Sequence, residues 1–331
     1  MFKIAITTTS FGKYDEKPLE LLKNKGYEVI FNTYGRMLKK NEIIEICRNA
    51  IGIIAGTERF DADILENLTT AISPQSLVKG SLSYLKVISR CGTGIDNIDI
   101  IATERFGIKV FNTPDVLTLA VAELTIGLIL NLLRKINQAD SAIRNDKWEK
   151  PMGNLLTGKK VGIIGFGRIG RKVSELLVSF GCEIRYYDIK EELRDLGIKG
   201  FRDLGIEGLR DKDYKRVELV ELLKTSDIIS IHASTKEQVI GVDELNLMKK
   251  GAWLINVSRG GVVDEEALYQ ALREGHLAGA ALDVFKQEPY TGKLKDLENI
   301  ILTPHIGSYA KESRIEMEMQ AVKNLLKGLR D

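Results

Sequence analysis

The chain has 331 residues, comfortable for two domains, and its 44% hydrophobic and 28% charged residues are typical of an ordinary globular protein. Its 48 basic and 46 acidic residues are interspersed and give a formal net charge of +2, so neither nucleic acid nor membrane is an expected partner. The apolar runs are too short to span a membrane, and the N-terminus lacks the pattern of a signal peptide. The three scattered cysteines fit neither a disulfide framework nor a metal site, so we expect a cytoplasmic protein.

The first third of the chain alternates short apolar runs with amphipathic segments, a pattern that predicts parallel βαβ units and a doubly wound sheet. The predicted strands and helices, in order, are residues 3–7, 18–25, 28–32, 43–49, 52–55, 62–68, 85–89 and 109–112. Pro114 marks a break, and residues 116–144 then have the spacing of one long helix that is apolar over much of its surface. Such a helix is more often buried between domains or subunits than solvated.

A glycine-rich motif follows in the middle of the chain. Residues 161–164 form an apolar run, residues 165–170 have the spacing G-x-G-x-x-G, and an amphipathic stretch comes next. This context predicts a strand, a tight turn and a helix whose N-terminus would bind a pyrophosphate. A second predicted strand, 182–187, ends at Asp188, close to the interval expected for a carboxylate that binds a ribose 2′-hydroxyl. Together these features predict a dinucleotide-binding domain inserted into another domain.

The alternation of strands and helices continues to the end of the chain. The predicted strands are 161–164, 184–187, 228–231, 253–257, 278–282 and 300–302. Residues 313–329 form a helical pattern, and we expect this helix to return to the N-terminal domain. One segment interrupts the alternation, because residues 194–201 are repeated almost unchanged as residues 202–209. Two copies are too few for a solenoid, so we interpret them as a duplicated, charged surface loop.

Three histidines are available for acid–base chemistry near neutral pH. His276 lies in a polar turn and is expected to be exposed. His232 ends the predicted strand 227–231, where it could line a cofactor crevice or only cap the strand. His305 follows the strand 300–302, and open α/β sheets bind their ligands beyond the carboxyl ends of the strands. This position favours His305 over a histidine of the core.

Two further strand ends supply charged partners. Arg259 follows the strand 253–257 on a glycine-flanked turn, where it could hold a carboxylate in bidentate fashion or form only a surface salt bridge. Glu288 follows the strand 278–282, and a carboxylate beside an imidazole raises the pKa of the histidine by stabilising its charged form. Each residue alone is more often structural. Together with His305, after successive strands of one sheet, they predict a site.

Seven motifs carry a family resemblance over essentially the whole chain. They are RCGTGIDNID at 90–99, NTP at 112–114, VAEL at 121–124, GKKVGIIGFGRIG at 158–170, NVSRGGVVD at 256–264, GAALDVF at 279–285 and TPHIG at 303–307. With them the chain resembles the D-isomer-specific 2-hydroxyacid dehydrogenases, most closely their phosphoglycerate dehydrogenase-like branch. The expected fold is α/β with two doubly wound parallel sheets. An NAD-binding Rossmann domain, 108–305, would be inserted into a flavodoxin-like substrate domain, 1–107 and 306–331.

The resemblance also implies roles for individual residues. Arg259 would bind the substrate carboxylate, Glu288 would tune the histidine, and His305 would be the acid–base residue. Backbone N–H groups for the substrate would come from the loop of Cys91, Gly92, Thr93 and Gly94. The implied contacts to NAD are Thr93, Gly165, Gly167, Arg168, Ile169, Gly170, Asp188, His232, Ala233, Val257, Ser258, Arg259, Asp283, His305 and Gly307.

We therefore expect NAD-dependent interconversion of a phosphoglycerate-like D-2-hydroxy acid and its 2-oxo acid. We also expect a homodimer, with the long helix forming part of the contact between the subunits. The alternative among enzymes is a glyoxylate or hydroxypyruvate reductase. The alternative from another class is an NAD(H)-sensing binding protein of the same fold, which the complete set of Arg259, Glu288 and His305 argues against. Asp188 predicts a preference for NAD over NADP, with Lys190 as a nearby opposing charge.

The chain departs from the family pattern in several places. Asp115 stands where many relatives have glycine, and His232 is followed by Ala-Ser-Thr-Lys rather than by a loop containing proline. Near residues 57–59, where relatives that act on phosphoglycerate carry arginines for the substrate phosphate, only Arg59 is present. We also expect no regulatory domain after residue 331.

Overall fold

The computed structural model describes residues 1–70, 85–114, 116–189, 214–235 and 237–330. Asp115, Lys190 and the repeat at 194–209 lie outside these residues. Within the described part of the chain, no helix is long and apolar enough to span a membrane. Over the same residues, no cluster of three or more His, Cys, Asp or Glu side chains could hold a metal ion.

The chain divides into two compact units, Met1–Leu117 with Ser308–Asp331, and Thr118–Gly307. The first unit contains a parallel sheet in the order β2-β1-β3-β4-β5. Its strands are β1 (Lys3–Ile6), β2 (Glu28–Phe31), β3 (Ala50–Ala55), β4 (Val87–Arg90) and β5 (Lys109–Phe111). Its first four helices are α1 (Lys17–Asn24), α2 (Lys40–Cys47), α3 (Ala62–Thr70) and α4 (Ile100–Arg105).

The last helix of the chain belongs to this first unit, as the sequence predicts. It runs over Lys311–Arg330 and is α11 in the numbering used below. The Ser89 hydroxyl of β4 donates to the Ala321 carbonyl at 2.8 Å, and a Cβ added at Gly328 would lie 2.6 Å from the Phe111 ring. The apolar side of the helix, with Ala321 and Leu325 fully buried, therefore covers one face of the sheet.

The second unit contains a parallel sheet in the order β12-β11-β10-β9-β6-β7-β8. Its strands are β6 (Lys160–Ile164), β7 (Glu183–Tyr187), β8 (Tyr214–Arg216), β9 (Ile228–Ile231), β10 (Trp253–Asn256), β11 (Gly279–Leu282) and β12 (Ile300–Leu302). Its helices are α5 (Thr118–Arg134), α6 (Ile136–Arg144), α7 (Arg168–Ser179), α8 (Leu219–Thr225), α9 (Val242–Leu247) and α10 (Glu265–Arg273). The order reverses between β6 and β9, and this is where open sheets of this kind bind ligands.

Two parallel sheets with helices confirm the predicted α/β fold class. The sequence-based boundaries at 107/108 and 305/306 differ from the observed ones. Strand β5 lies within the predicted Rossmann domain, yet it pairs with β4 and so belongs to the first sheet. The amides of Ile306 and Gly307 both donate to Asp283, which keeps the chain in the second unit for two more residues.

The long helix expected over 116–144 is two helices. Lys135 adopts a left-handed conformation, with φ 53° and ψ 40°, and separates α5 from α6. The apolar side chains of α5, among them Ile129 and Leu133, are buried within the second unit, whereas α6 has no buried residue. The unit's own core therefore uses much of the apolar surface of α5, and a homodimer with this helical segment in its contact stays a prediction.

Candidate active site

The glycine motif forms the turn between β6 and α7. A Cβ added at Gly165, whose φ is +90°, would lie 2.6 Å from the Ala233 amide nitrogen, and one added at Gly170 would lie 2.1 Å from the Gly165 carbonyl oxygen. Both glycines are therefore required by close packing inside the protein. Among the described residues, no atom outside the local backbone of Gly167 lies within 4 Å of a Cβ added there. The turn thus leaves open space at the N-terminus of a 12-residue helix, the environment that a pyrophosphate requires.

Asp188 follows β7 and lies beside this turn. Its Oδ2 atom accepts a hydrogen bond from the Phe166 amide at 2.7 Å, and its carbonyl oxygen accepts one from Arg216 at 3.1 Å. The carboxylate is thereby oriented next to the glycine turn. This is the position in which a carboxylate recognises a ribose 2′-hydroxyl.

His232 follows β9 and is 8% exposed. Its amide donates to the Ile164 carbonyl at 2.7 Å, and its Nε2 atom lies 2.9 Å from the Ser230 hydroxyl. The Nδ1 atom is buried and has no hydrogen-bond partner among the described residues. Burial lowers the pKa of His232 to about 3, so the ring is neutral at physiological pH and is not an acid–base residue. This ring nitrogen lies beside the glycine turn, so a bound ligand would supply the hydrogen bond that the described residues do not.

His305 and Glu288 form a hydrogen-bonded pair. The His305 Nδ1 atom lies 3.0 Å from the Glu288 Oε2 atom, and Glu288 Oε1 accepts from the Phe285 amide at 3.1 Å. This bond raises the pKa of His305, an effect that burial partly opposes. Burial would raise the pKa of Glu288, but the hydrogen bond and the charge of His305 lower it on balance. The His305 side chain is 51% exposed, and among the described residues its only recorded side-chain hydrogen bond is the one at Nδ1.

A buried aspartate holds the loop that carries His305. Asp283 follows β11 and is 1% exposed. Its carboxylate accepts hydrogen bonds from the Thr303 hydroxyl at 2.6 Å and from the Ile306 and Gly307 amides at 2.8 Å each. His305 itself has a φ of +56°, a conformation that non-glycine residues rarely adopt. The anchoring role of Asp283 was missed in the sequence, because its partners lie 20 to 24 residues further along the chain.

Arg259 follows β10, the strand that neighbours β11. Its Nη1 atom donates to the Ser258 carbonyl at 2.8 Å, and the Asn256 side chain donates to the Arg259 carbonyl at 3.1 Å. The positive charge of Arg259 lowers the pKa of His305, so the two groups share one electrostatic environment. The structure therefore brings Arg259, Glu288 and His305 together at the carboxyl ends of three adjacent strands.

The remaining candidates for cofactor contacts flank these elements. Arg168 and Ile169 begin α7, Ala233 follows His232, and Val257 and Ser258 precede Arg259, where both are 8% exposed. Thr93 lies in the first unit.

The loop at 91–94 is expected to offer its backbone amides to the substrate, but two of these four amides already have acceptors within the protein. The Cys91 amide donates to the Ala55 carbonyl at 2.9 Å, and the Gly92 amide donates to the Thr113 hydroxyl at 3.0 Å. Both amides are thereby occupied, and Cys91 is 3% exposed. Among the described residues, no acceptor is recorded for the amides of Thr93 and Gly94. Within the described part of the chain, the Cys91 and Gly92 amides are therefore engaged by the protein itself, and substrate binding by this loop stays a prediction.

His276 is less exposed than the sequence analysis expects. It is half-buried, and its Nε2 atom lies 3.0 Å from the Leu245 carbonyl near the end of α9. It therefore has a structural role, far from the strand ends that carry the other candidates.

Residues 126–307, more than half of the chain, match the family model for the NAD binding domain of the D-isomer specific 2-hydroxyacid dehydrogenases. The chain belongs to this family. It is accordingly an NAD-dependent oxidoreductase that acts on the CH–OH group of 2-hydroxy acids. The glycine turn, the oriented Asp188 carboxylate and the free nitrogen of His232 fit such a cofactor.

Several members of the family resemble this dehydrogenase closely. A glyoxylate reductase of Thermofilum pendens is 44% identical over 285 residues, which cover 83% of this chain and 76% of the relative. A D-3-phosphoglycerate dehydrogenase of Archaeoglobus fulgidus is 33% identical over 95% of this chain, which spans 56% of that longer protein. The crystal structure of the TT0316 protein from Thermus thermophilus aligns with a TM-score of 0.83 at 32% identity, covering 99% of this chain and 97% of the other.

The position of Asp188 predicts a preference for NADH over NADPH. The carboxylate would face the 2′-phosphate of NADPH with like charge, so the ratio of kcat/KM for NADH to that for NADPH should be well above one. In Asp188→Asn, which removes the charge and keeps an acceptor, this ratio should fall by about tenfold. Glu183→Gln is a matched control, because it removes a charge from the other end of the same strand. Equal or better efficiency of the unmodified enzyme with NADPH would show that Asp188 does not select the cofactor.

Proposed function

We propose that this dehydrogenase interconverts a small D-2-hydroxy acid and its 2-oxo acid by acid–base catalysis at His305. The observation that carries the proposal is the 3.0 Å contact between His305 Nδ1 and Glu288, beside Arg259 at neighbouring strand ends. The names of the relatives support two substrate types, one like phosphoglycerate and one like glyoxylate or hydroxypyruvate.

The hydrogen bond to Glu288 determines which ring nitrogen of His305 reacts. A carboxylate acceptor keeps the proton of the neutral ring on Nδ1, so Nε2 is the free base. During oxidation, Nε2 takes the proton of the substrate hydroxyl and Glu288 stabilises the imidazolium that forms. During reduction, the charged ring returns this proton to the carbonyl oxygen.

Other residues orient the reactants. The Arg259 guanidinium would hold the substrate carboxylate through paired hydrogen bonds. In the first unit, the Thr93 and Gly94 amides are the further candidates for substrate binding. The glycine turn, Asp188 and His232 would hold NAD. When bound, NAD accepts the hydride from C2 of the hydroxy acid and returns it in the reverse direction.

The experiment that tests this function is a panel of 2-oxo acids, phosphorylated and not, with NADH. Turnover of at least one of them supports the dehydrogenase. Binding of NADH without turnover across the panel would instead favour the NAD(H)-sensing protein, the alternative from the other class.

We further infer a homodimer whose contact is formed by the segment after α5 rather than by α5 itself. This segment exposes large apolar side chains, with Trp148 at 81%, Met152 at 84% and Leu155 at 74%. Exposed apolar surface of this kind usually marks an interface. The reduced cysteines, Cys47, Cys91 and Cys182, fit the cytoplasmic location expected from the sequence.

Light scattering at micromolar concentration should therefore give the mass of a dimer. Trp148→Glu combined with Met152→Glu should shift the enzyme to the monomer, because charges in an apolar contact are desolvated without partners. Val220→Glu is the control, since Val220 is an apolar residue of the same unit that is 49% exposed outside this segment. A monomeric unmodified protein would contradict the inference.

A further inference from the structure

A cavity of about 420 Å³ lies in the second unit, between the start of α10 and residues 286–294. Its walls carry two tyrosine rings and charged groups of both signs. None of Arg259, Glu288 and His305 belongs to the described lining of this cavity. A cavity of this size, with aromatic walls and a few polar groups, is typical of sites for small molecules.

Part of the charge around this cavity is balanced within the protein. Glu266 forms an ion pair with Lys293 at 3.3 Å, and the Lys293 ammonium also lies 5.8 Å from the centre of the Tyr269 ring. Asp264 caps α10, because its Oδ1 atom accepts hydrogen bonds from the Glu266 and Ala267 amides at 3.0 Å each. These contacts stabilise the start of the helix and hold one wall of the cavity in place.

Two opposite charges of the lining, on Glu265 and Lys286, do not neutralise each other. The Glu265 Oε1 atom accepts a hydrogen bond from the Lys286 backbone amide at 2.7 Å. Among the described residues, neither the Glu265 Oε2 atom nor the Lys286 ammonium has a hydrogen-bond or ion-pair partner. The cavity therefore presents one carboxylate oxygen and one ammonium group to a ligand.

Tyr290 supplies both an apolar wall and a hydroxyl group. Its ring stacks on the Phe285 ring with centroids 4.4 Å apart, and its hydroxyl oxygen accepts from the Leu294 amide at 3.1 Å. Burial raises the pKa of Tyr290, the bond from Leu294 partly opposes this effect, and the charge of Glu265 adds to it. The hydroxyl therefore keeps its proton at neutral pH and can donate it to a bound anion.

We propose that this cavity is an effector site for a free α-amino acid with an apolar side chain. The Lys286 ammonium and the Tyr290 hydroxyl bind the carboxylate of the amino acid, and the Glu265 Oε2 atom binds its ammonium group. The apolar side chain lies against the tyrosine rings. A simple anion or cation would leave one of the two protein charges without a partner, whereas a zwitterion satisfies both.

The effector acts on turnover through the segment that carries Glu288. Lys286 and Tyr290 flank Glu288 by two residues on each side, and Glu288 bonds to His305 at 3.0 Å. A ligand that holds both flanking side chains displaces the Glu288 carboxylate from the imidazole, and a displacement of about 1 Å can cost about a hundredfold in rate. This effect on turnover rests on the proposed function of His305, whereas binding in the cavity does not.

The first test titrates L-phenylalanine into the enzyme by calorimetry, without substrate. We expect a Kd of about 1 mM or lower. 3-Phenylpropionate lacks the ammonium group and 2-phenylethylamine lacks the carboxylate, so each should bind at least about tenfold more weakly. No binding of L-phenylalanine would overturn the proposal, and so would equal binding of all three compounds, which would show a purely apolar pocket.

Variants assign the binding to this cavity. Lys286→Met and Glu265→Gln should each weaken L-phenylalanine binding at least about tenfold, and glutamine keeps the acceptor for the Lys286 amide. Lys295→Met and Glu274→Gln are matched controls, because both residues are exposed and lie in the same unit outside the cavity lining. Binding that persists in Lys286→Met but disappears in Arg259→Met would place the amino acid at the active site and overturn the proposal.

Steady-state turnover then tests the effector role. L-phenylalanine well above its Kd should lower kcat at least about twofold with saturating 2-oxo acid and NADH, and this loss should be absent in Lys286→Met. Binding without any change in kcat would overturn the effector role. Failure of every 2-oxo acid to turn over would instead reject the proposed function, and calorimetry would still decide whether the cavity binds the amino acid.

Discussion

Replacing His305 with asparagine should lower turnover in both directions by about a hundred- to ten-thousandfold, the contribution of a positioned acid–base group. Asparagine cannot carry the proton that His305 exchanges with the substrate oxygen. It tolerates the left-handed backbone of this position better than most residues other than glycine, so the φ of +56° does not by itself disrupt the loop. The measurement is steady-state kcat with a 2-oxo acid and NADH, and with the matching hydroxy acid and NAD.

His276→Gln is the matched control for this substitution. His276 is also a partly buried histidine of the second unit, but its ring bonds to the Leu245 carbonyl and it should not be needed for turnover. NADH binding, followed by fluorescence titration, should persist in both variants. Retention of more than a tenth of the turnover in His305→Asn would remove His305 from the acid–base role.

Replacing Glu288 with glutamine should move the pH dependence of both directions to lower pH. The hydrogen bond with Glu288 raises the pKa of His305, so its loss lowers that pKa. Reduction requires the protonated ring, and its activity should therefore decline at lower pH in the variant than in the unmodified enzyme. Oxidation requires the neutral ring, so its activity should persist to lower pH. The measurement is kcat/KM across the pH range for each direction.

If Glu288→Gln lost rate uniformly and neither pH profile moved, this prediction would be contradicted. Glu288 would then act by orienting the ring and not through its charge. Glu265→Gln is a suitable control, because Glu265 is an acid of the same unit whose carboxylate accepts from the Lys286 amide, outside the His305 pair. Its pH profiles should match those of the unmodified enzyme.

Strand ends and the glycine turn could be located from the sequence because their patterns are local. Alternating apolar runs place the strands, and residues that follow a parallel strand lie at its carboxyl edge whatever the rest of the chain does. Arg259, Glu288 and His305 were placed correctly by this argument. The glycines at 165 and 170 indicate a tight turn. A side chain at either position would clash with the closely packed backbone, and the positive φ of Gly165 also favours glycine.

Other features depended on contacts between distant residues. The break at Lys135 interrupts a helical pattern that continues on both sides, and a left-handed lysine has no signature in the sequence. The Cys91 amide is taken by Ala55 and the Gly92 amide by Thr113, so only the folded sheet shows which amides remain.

By itself, the sequence determined the α/β class, the glycine turn, the family and the positions of Arg259, Glu288 and His305 after their strands, because each depends on spacing along a few residues. The tertiary structure decided the domain boundaries, the anchoring of the His305 loop by Asp283 and the burial of Glu58 against Thr7, 51 residues away. Hydrogen-bond partners and burial depend on which strands become neighbours. That choice is made by the packing of the whole sheet and not by any local pattern.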